Sequence, residues 1–111
     1  MQARPIDASF HVTGQIRPDT VSSIKEAGYA AIICMRPDNE GFNQPAFAEI
    51  KARAEAEGLA AYYLPVTPGS QPFKEASELK ALLKQTDGPI LAYCASGNRC
   101  GMLYQLAQQA G

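Results

Sequence analysis

"ILAYCASGNRC", residues 90–100, decides how the rest of the chain is read. Ile90 to Tyr93 form a compact apolar run, short enough for a strand and suited to burial on both faces. The preceding "TDGP", residues 86–89, turns the chain into that run. After it, "CGMLYQLAQQAG" at 100–111 sets Leu103, Leu106 and Ala110 on one face at helical spacing. The stretch therefore predicts a strand that ends at Cys94, a short loop, and a helix that begins near Cys100.

Outward from this unit, strands and helices alternate. "SFHVTGQI" (9–16) alternates weakly and reads as a first strand. "RPDTVSSIKEAG" (17–28) has Pro18 and Asp19 at a helix start, Val21, Ile24 and Ala27 on one face, and Gly28 as terminator. "YAAIICM" (29–35) is a buried strand, and "RPDNEGFNQP" (36–45) is a polar loop. The Ala- and Glu-rich stretch from Pro45 to Glu57 is helical, with Gly58 closing it. "LAAYYLPV" (59–66) is another apolar strand and "TPGSQPF" (67–73) a loop. "KEASELKALLKQ" (74–85) is a helix that buries Ala76, Leu79, Leu82 and Leu83. This alternation predicts an α/β domain, a mainly parallel central sheet flanked by helices.

The chain has 111 residues, 46% of them apolar and 19% charged, which is the composition of one folded domain spanning 1–111. It stops one helix after the key loop, so a piece of a longer polypeptide is also expected. A formal net charge of −1 without a Lys/Arg run excludes nucleic acid and anionic membrane as partners. No apolar run approaches the roughly 20 residues of a membrane span, and the N-terminus lacks the apolar core of a signal peptide. A cytoplasmic location is expected. Three cysteines, without secretory signal or metal-ligand spacing, read as free thiols. No metal or cofactor is called for.

The loop between strand and helix is suited to an anion. Loop amides and the helix N-terminus converge there, and their field favours negative charge. Cys94 stands in that field, which should lower its pKa and make it a nucleophile. Arg99 offers a planar fork of donors to a bound oxyanion. Gly97 lets the backbone curl inward. Ser96 is positioned to give a hydroxyl hydrogen bond to the thiolate. Ala95, Ser96, Gly97, Asn98 and Cys100 are the expected substrate-binding residues, with Cys94 and Arg99 catalytic.

The pattern Cys-x-x-Gly-x-Arg after an apolar strand resembles both cysteine phosphatases and rhodanese sulfurtransferases. "TGQIRPDTVSSIKEAGYAAIICMRPDNE", "QPAFAEIKARAEAEGLAAYYLPVTPG" and "GPILAYCASGNR" together resemble the DUF442 family, the phosphatase-like domain of beta-lactamase-hydrolase-like proteins. That resemblance covers nearly all of the chain after residue 8. It implies a protein-tyrosine-phosphatase-like fold. It also implies a persulfide dioxygenase as fusion or partner, since family members occur fused to one.

Against these families the chain tilts toward sulfur. Cysteine phosphatases place five residues between Cys and Arg, whereas this loop has four, the rhodanese length. Phosphatases need a general acid. "PVTPGSQPF" offers none, and Asp38 is the nearest alternative. Many phosphatases carry Ser or Thr after the Arg, where this chain has Cys100. The expected activity is therefore a sulfurtransferase in which Cys94 carries sulfur from thiosulfate or a persulfide. The alternatives are a phosphohydrolase, or an idle anion-binding module of a sulfide-oxidation assembly. The expected ligand is a small anionic sulfur or phosphate compound.

The remaining candidates are redox partners or rim residues. Cys34 and Cys100 could each form a disulfide or sulfur relay with Cys94, or be idle buried thiols. Arg36 and Asp38 read as a surface turn or as a pair with each other, with a substrate-rim role as the alternative. Gln15 and Thr67 lie on loops that could line the pocket. His11 reads as a half-buried strand residue and Tyr93 as a packing residue.

Overall fold

The computed structural model describes residues 2–109. It contains five strands, β1 (Arg4–Asp7), β2 (Phe10–Thr13), β3 (Ala31–Cys34), β4 (Ala60–Tyr63) and β5 (Ile90–Tyr93), and four helices. The helices are α1 (Val21–Glu26), preceded by a 3-10 turn at Pro18–Thr20, α2 (Phe47–Ala56), α3 (Phe73–Gln85) and α4 (Asn98–Gln109). The strands form one sheet in the order β1-β2-β5-β3-β4. β2, β5, β3 and β4 run parallel, and β1 is antiparallel to β2. The mainly parallel α/β prediction is thus met. Among the described residues, no helix is long and apolar enough to cross a membrane.

Side-chain alternation along the strands divides the core into two layers. Ile90, Ala92 and Cys94 join Ala31, Ile33, Phe10 and Val12 under α3 and α4, where Ala76, Leu79, Cys100, Leu103 and Ala107 meet them. Leu91 and Tyr93 join Ile32 and Cys34 on the other face, under Val21 and Ile24 of α1 and Phe47, Ile50 and Ala54 of α2. A strand covered on both faces has no solvent side, so β3 and β5 are continuous apolar runs. β5 lies at the centre. Its carboxyl end opens into the crevice where strand order reverses, the usual ligand position in open parallel sheets.

Several expectations need correction. The first strand is β1, which the sequence reading missed because all four of its residues are exposed and carry no apolar alternation. Pro5 is tolerated because β1 is an edge strand with an irregular register between Pro5 and Asp7. Of "SFHVTGQI", only Phe10–Thr13 is strand. Ala27 is exposed, since α1 ends at Glu26 and Gly28 turns the chain with φ +95°. β4 is an edge strand that is only partly covered. Leu82 and Leu83 are half-buried, while Ala76 and Leu79 make the contact of α3 with the core. Ala110 lies outside the described residues.

Leu91 sits fully buried at the middle of the central strand. Leu91→Ala should destabilise the domain by about 2–5 kcal/mol, since its methyl groups leave a cavity the sheet cannot close. In urea unfolding the midpoint should fall with the slope unchanged. The half-buried Leu83→Ala should cost clearly less.

Candidate functional site

β5 delivers Cys94 between its two neighbours. The Cys94 amide donates to the Thr13 carbonyl of β2 at 3.3 Å, and on the other side Met35 N–H donates to the Tyr93 carbonyl at 2.8 Å. The chain then curls back on itself. Gly97, at φ +93°, lies in the left-handed region that a side chain disfavours, and its N–H turns inward to Cys94 Sγ at 3.0 Å. The curl is also tight against β2, because a Cβ on Gly14 would come within 3.0 Å of the Ala95 carbonyl. Cys94 is fully buried, whereas Ala95, Ser96 and Asn98 form an exposed rim above it.

This surrounding puts the Cys94 pKa at about 5. The largest cause is a hydrogen bond from the Cys100 thiol, and the amides of Cys100, Ser96 and Gly97 add to it against the opposing effect of burial. Cys100 carries the reciprocal shift. Burial first and the neighbouring Cys94 second push it well above the usual thiol range, so it remains the proton donor of the pair. The Ser96 hydroxyl does not take the expected part. It is exposed and accepts from Asn98 N–H at 3.3 Å, so Ser96 contributes its backbone amide instead.

Arg99 is held in place rather than left open. Its Nη1 donates to Glu40 Oε2 at 2.8 Å and to the Val66 carbonyl at 2.9 Å, and its Nη2 donates to Glu40 Oε1 at 2.6 Å. Arg36 reaches the same carboxylate, Nε to Oε1 at 3.0 Å, and donates through Nη1 to Gln15 at 3.0 Å. Arg99, assisted by Arg36, holds Glu40 below the usual carboxylate range, and Glu40 raises Arg99 in return. The expected pairing of Arg36 with Asp38 does not form. Asp38 instead accepts the Phe47 amide at 2.8 Å at the start of α2, an orphan donor that the helix cannot satisfy itself.

The other candidates divide clearly. Gln15 joins the rim through Arg36. Thr67 is exposed, and its carbonyl accepts from Ser70, while the carbonyl one residue earlier meets Arg99. Cys34 pairs in register with Tyr93 and so points to the opposite layer from Cys94. Burial raises its pKa, and its thiol donates to the Arg36 carbonyl at 3.3 Å. Tyr93 packs in that layer with a hydroxyl whose pKa burial also raises. His11 is half-buried on β2, 2.8 Å from the Tyr29 hydroxyl. All three cysteines are free thiols.

Glu40 is a residue that sequence reasoning missed. It closes the "RPDNE" loop, and the available signal was a carboxylate four residues after Arg36, on a loop leaving the strand next to β5.

An ionisable thiol at the mouth of a central parallel strand, backed by an amide curl and a fixed arginine, defines a cysteine-loop α/β domain of the protein-tyrosine-phosphatase type. The chain belongs to the family of the phosphatase-like domain of beta-lactamase hydrolase-like proteins, whose model matches residues 2–111. A beta-lactamase hydrolase-like protein of Xylella fastidiosa is 32% identical over 108 residues, 97% of this chain and 25% of that protein. The chain thus spans about a quarter of the length of the curated relatives it matches. Among solved structures, a candidate phosphatase of Neisseria meningitidis is 33% identical with a TM-score of 0.80, covering 88% of this chain and 70% of that one. A DUF442 protein of Shewanella putrefaciens shares the fold at 18% identity and a TM-score of 0.82, covering 96% and 66%.

The Cys94 thiolate should titrate in ultraviolet absorbance with a midpoint of about 5. Cys100→Ala removes the chief donor and should move that midpoint upward, and Cys100→Ser should restore part of the difference. An unchanged midpoint in Cys100→Ala would show that the amides alone hold the charge. The linkage has a definite sign, because the folded pKa lies below the unfolded one. Cys94 therefore stabilises the fold fully above the ordinary thiol range, and this contribution is lost as pH falls toward about 5. Cys94→Ser should flatten that part of the stability profile.

Proposed function

We propose that the domain is a cysteine-dependent sulfurtransferase. The Cys94 thiolate attacks the outer sulfur of thiosulfate, forming Cys94–S–S⁻ and releasing sulfite. Attack by cyanide or a thiolate on the outer sulfur of that persulfide then regenerates the Cys94 thiolate and yields thiocyanate or a new persulfide. Ala95, Ser96, Gly97 and Asn98 would surround the transferred group, and Arg99 would supply positive charge beside it. Cys100 would keep the attacking and departing sulfur ionised.

The observation that carries this reading is the state of the acid nearest the arginine. Glu40 is tied to Arg99 and Arg36 and held ionised, so it has no proton to give a leaving alkoxide. Sulfite and thiolates leave without one. A product persulfide would suit a persulfide dioxygenase, fused or separate, as the resemblance implies. Three free thiols would suit a reducing compartment such as the cytoplasm.

A second reading, a phosphatase acting through a Cys94 phosphoenzyme, is favoured by the likeness to the Neisseria candidate phosphatase and by the family's description. In that reaction Arg99 would hold the phosphoryl oxygens, and substrates with acidic leaving groups would be preferred because Glu40 is ionised.

Side-by-side assays with thiosulfate plus cyanide and with p-nitrophenyl phosphate separate the two. We expect turnover of the first and little of the second, with Cys94→Ser inactive in both. Turnover of p-nitrophenyl phosphate alone would favour the phosphatase. Inactivity in both, with sulfate still raising the melting temperature, would leave an anion-binding module.

A further inference from the structure

We infer that Arg4, on the edge strand β1, is the guanidinium that captures the oxyanion end of the sulfur donor and sets a preference for donors that carry an oxyanion group. This rests on the sulfurtransferase reading and extends it to a residue 90 positions before the nucleophile. β1 runs antiparallel to β2 with Arg4 opposite Val12, one residue short of the Thr13 carbonyl that receives the Cys94 amide. From there the Arg4 side chain lies across the curl. Its Nη2 is 3.4 Å from Asn98 Oδ1, and a Cβ built on Gly97 would stand 2.8 Å from the same nitrogen. The left-handed backbone at Gly97 favours glycine, and the mobile end of the Arg4 side chain rests over it.

The choice between the two arginines at the loop follows from what each must give up. Both Nη atoms of Arg99 are engaged by the Glu40 carboxylate at 2.6 and 2.8 Å, a bidentate charge-assisted pair. To meet a second anion frontally, Arg99 would have to break that fork. Arg4 gives up much less. Its contact with the loop is one long hydrogen bond to a neutral amide oxygen, and it takes part in no ion pair among the described residues. It is also exposed, so its charge faces arriving ligand. Arg99 with Arg36 sets the potential of the cradle from within, and Arg4 is the cation free to move onto a ligand.

A sulfonate group swinging in above Gly97 would replace Asn98 as the partner of Arg4, while the outer sulfur is presented to Cys94. Donors without an oxyanion at that end would gain nothing from Arg4.

The test uses Arg4→Gln and Arg4→Lys. For thiosulfate, Arg4→Gln should raise KM about tenfold, the order expected for one lost charge-assisted hydrogen bond, and leave kcat within about twofold. Arg4→Lys should recover part of the loss. An alkyl persulfide that carries no carboxylate or sulfonate group should be used equally well by all three proteins. Binding of inorganic sulfate, followed by its effect on the melting temperature, repeats the comparison without turnover. It should weaken about tenfold in Arg4→Gln. If the wild-type protein has no sulfurtransferase activity but sulfate binding still falls in Arg4→Gln, the proposed reaction fails and the anion site at Arg4 stands. Equal sulfate binding by the wild-type protein and Arg4→Gln, or no sulfate binding by the wild-type protein, overturns the inference.

Discussion

A negative charge on a sulfur atom with no solvent around it is the constraint to which the rest of this structure answers. Cys94 is fully buried, and burial alone would drive its pKa upward. The direction is reversed by donors aimed at one point: the Cys100 thiol, then the amides of Cys100, Ser96 and Gly97. Those donors converge because α4 begins at Asn98, only four residues after the sulfur, so its unpaired first amides stay within reach. The left-handed turn at Gly97 makes so short a loop possible. A glycine and the N-terminal end of a helix thus do locally what solvent would otherwise do.

Arg99 meets a different requirement. A long flexible cation beside a thiolate would collapse onto it and block it unless something else fixed its direction. Glu40 does this with both oxygens, and the Val66 carbonyl adds a third contact. The two anchors come from the loops after β3 and β4, which the sheet brings beside β5 because main-chain hydrogen bonding continues past the strand ends. Leu64 N–H donates to the Cys34 carbonyl and Val66 N–H to the Met35 carbonyl, at 2.8 and 2.9 Å. Parallel packing of the strands is therefore what orients the guanidinium.

The same geometry explains which parts of the protein were legible in the sequence. Ile90–Tyr93 and Ala31–Cys34 are buried on both faces, so continuous apolar runs announced them, and the loop was recognisable because its parts are contiguous. β1 was invisible because an exposed edge strand obeys no hydrophobic pattern; its pairing with β2 holds it. Glu40 and Arg4 were invisible for a related reason. Their partners lie 59 and 94 residues away, and only the strand order brings them together. The hydroxyl role assigned to Ser96 went to Cys100 because Ser96 lies on the exposed rim of the curl, its hydroxyl engaged by the Asn98 amide, whereas Cys100 is buried beside Cys94.

Cys34 shows how sheet geometry limits thiol chemistry. It stands across from Tyr93, one residue from Cys94, yet the alternation of side chains sends it to the opposite layer. A bond to Cys94 would have to pass through the sheet. Cys100, on α4, belongs to the same layer as Cys94 and is its hydrogen-bond donor. Of the two spare thiols, then, only Cys100 is placed to hydrogen-bond the Cys94 sulfur. It does so most strongly as a donor whose own ionisation burial suppresses, since two adjacent thiolates in one dry pocket would repel each other. The asymmetry between the two sulfurs, one facing donors and the other apolar packing, leaves Cys94 as the thiolate and Cys100 as its hydrogen-bond donor.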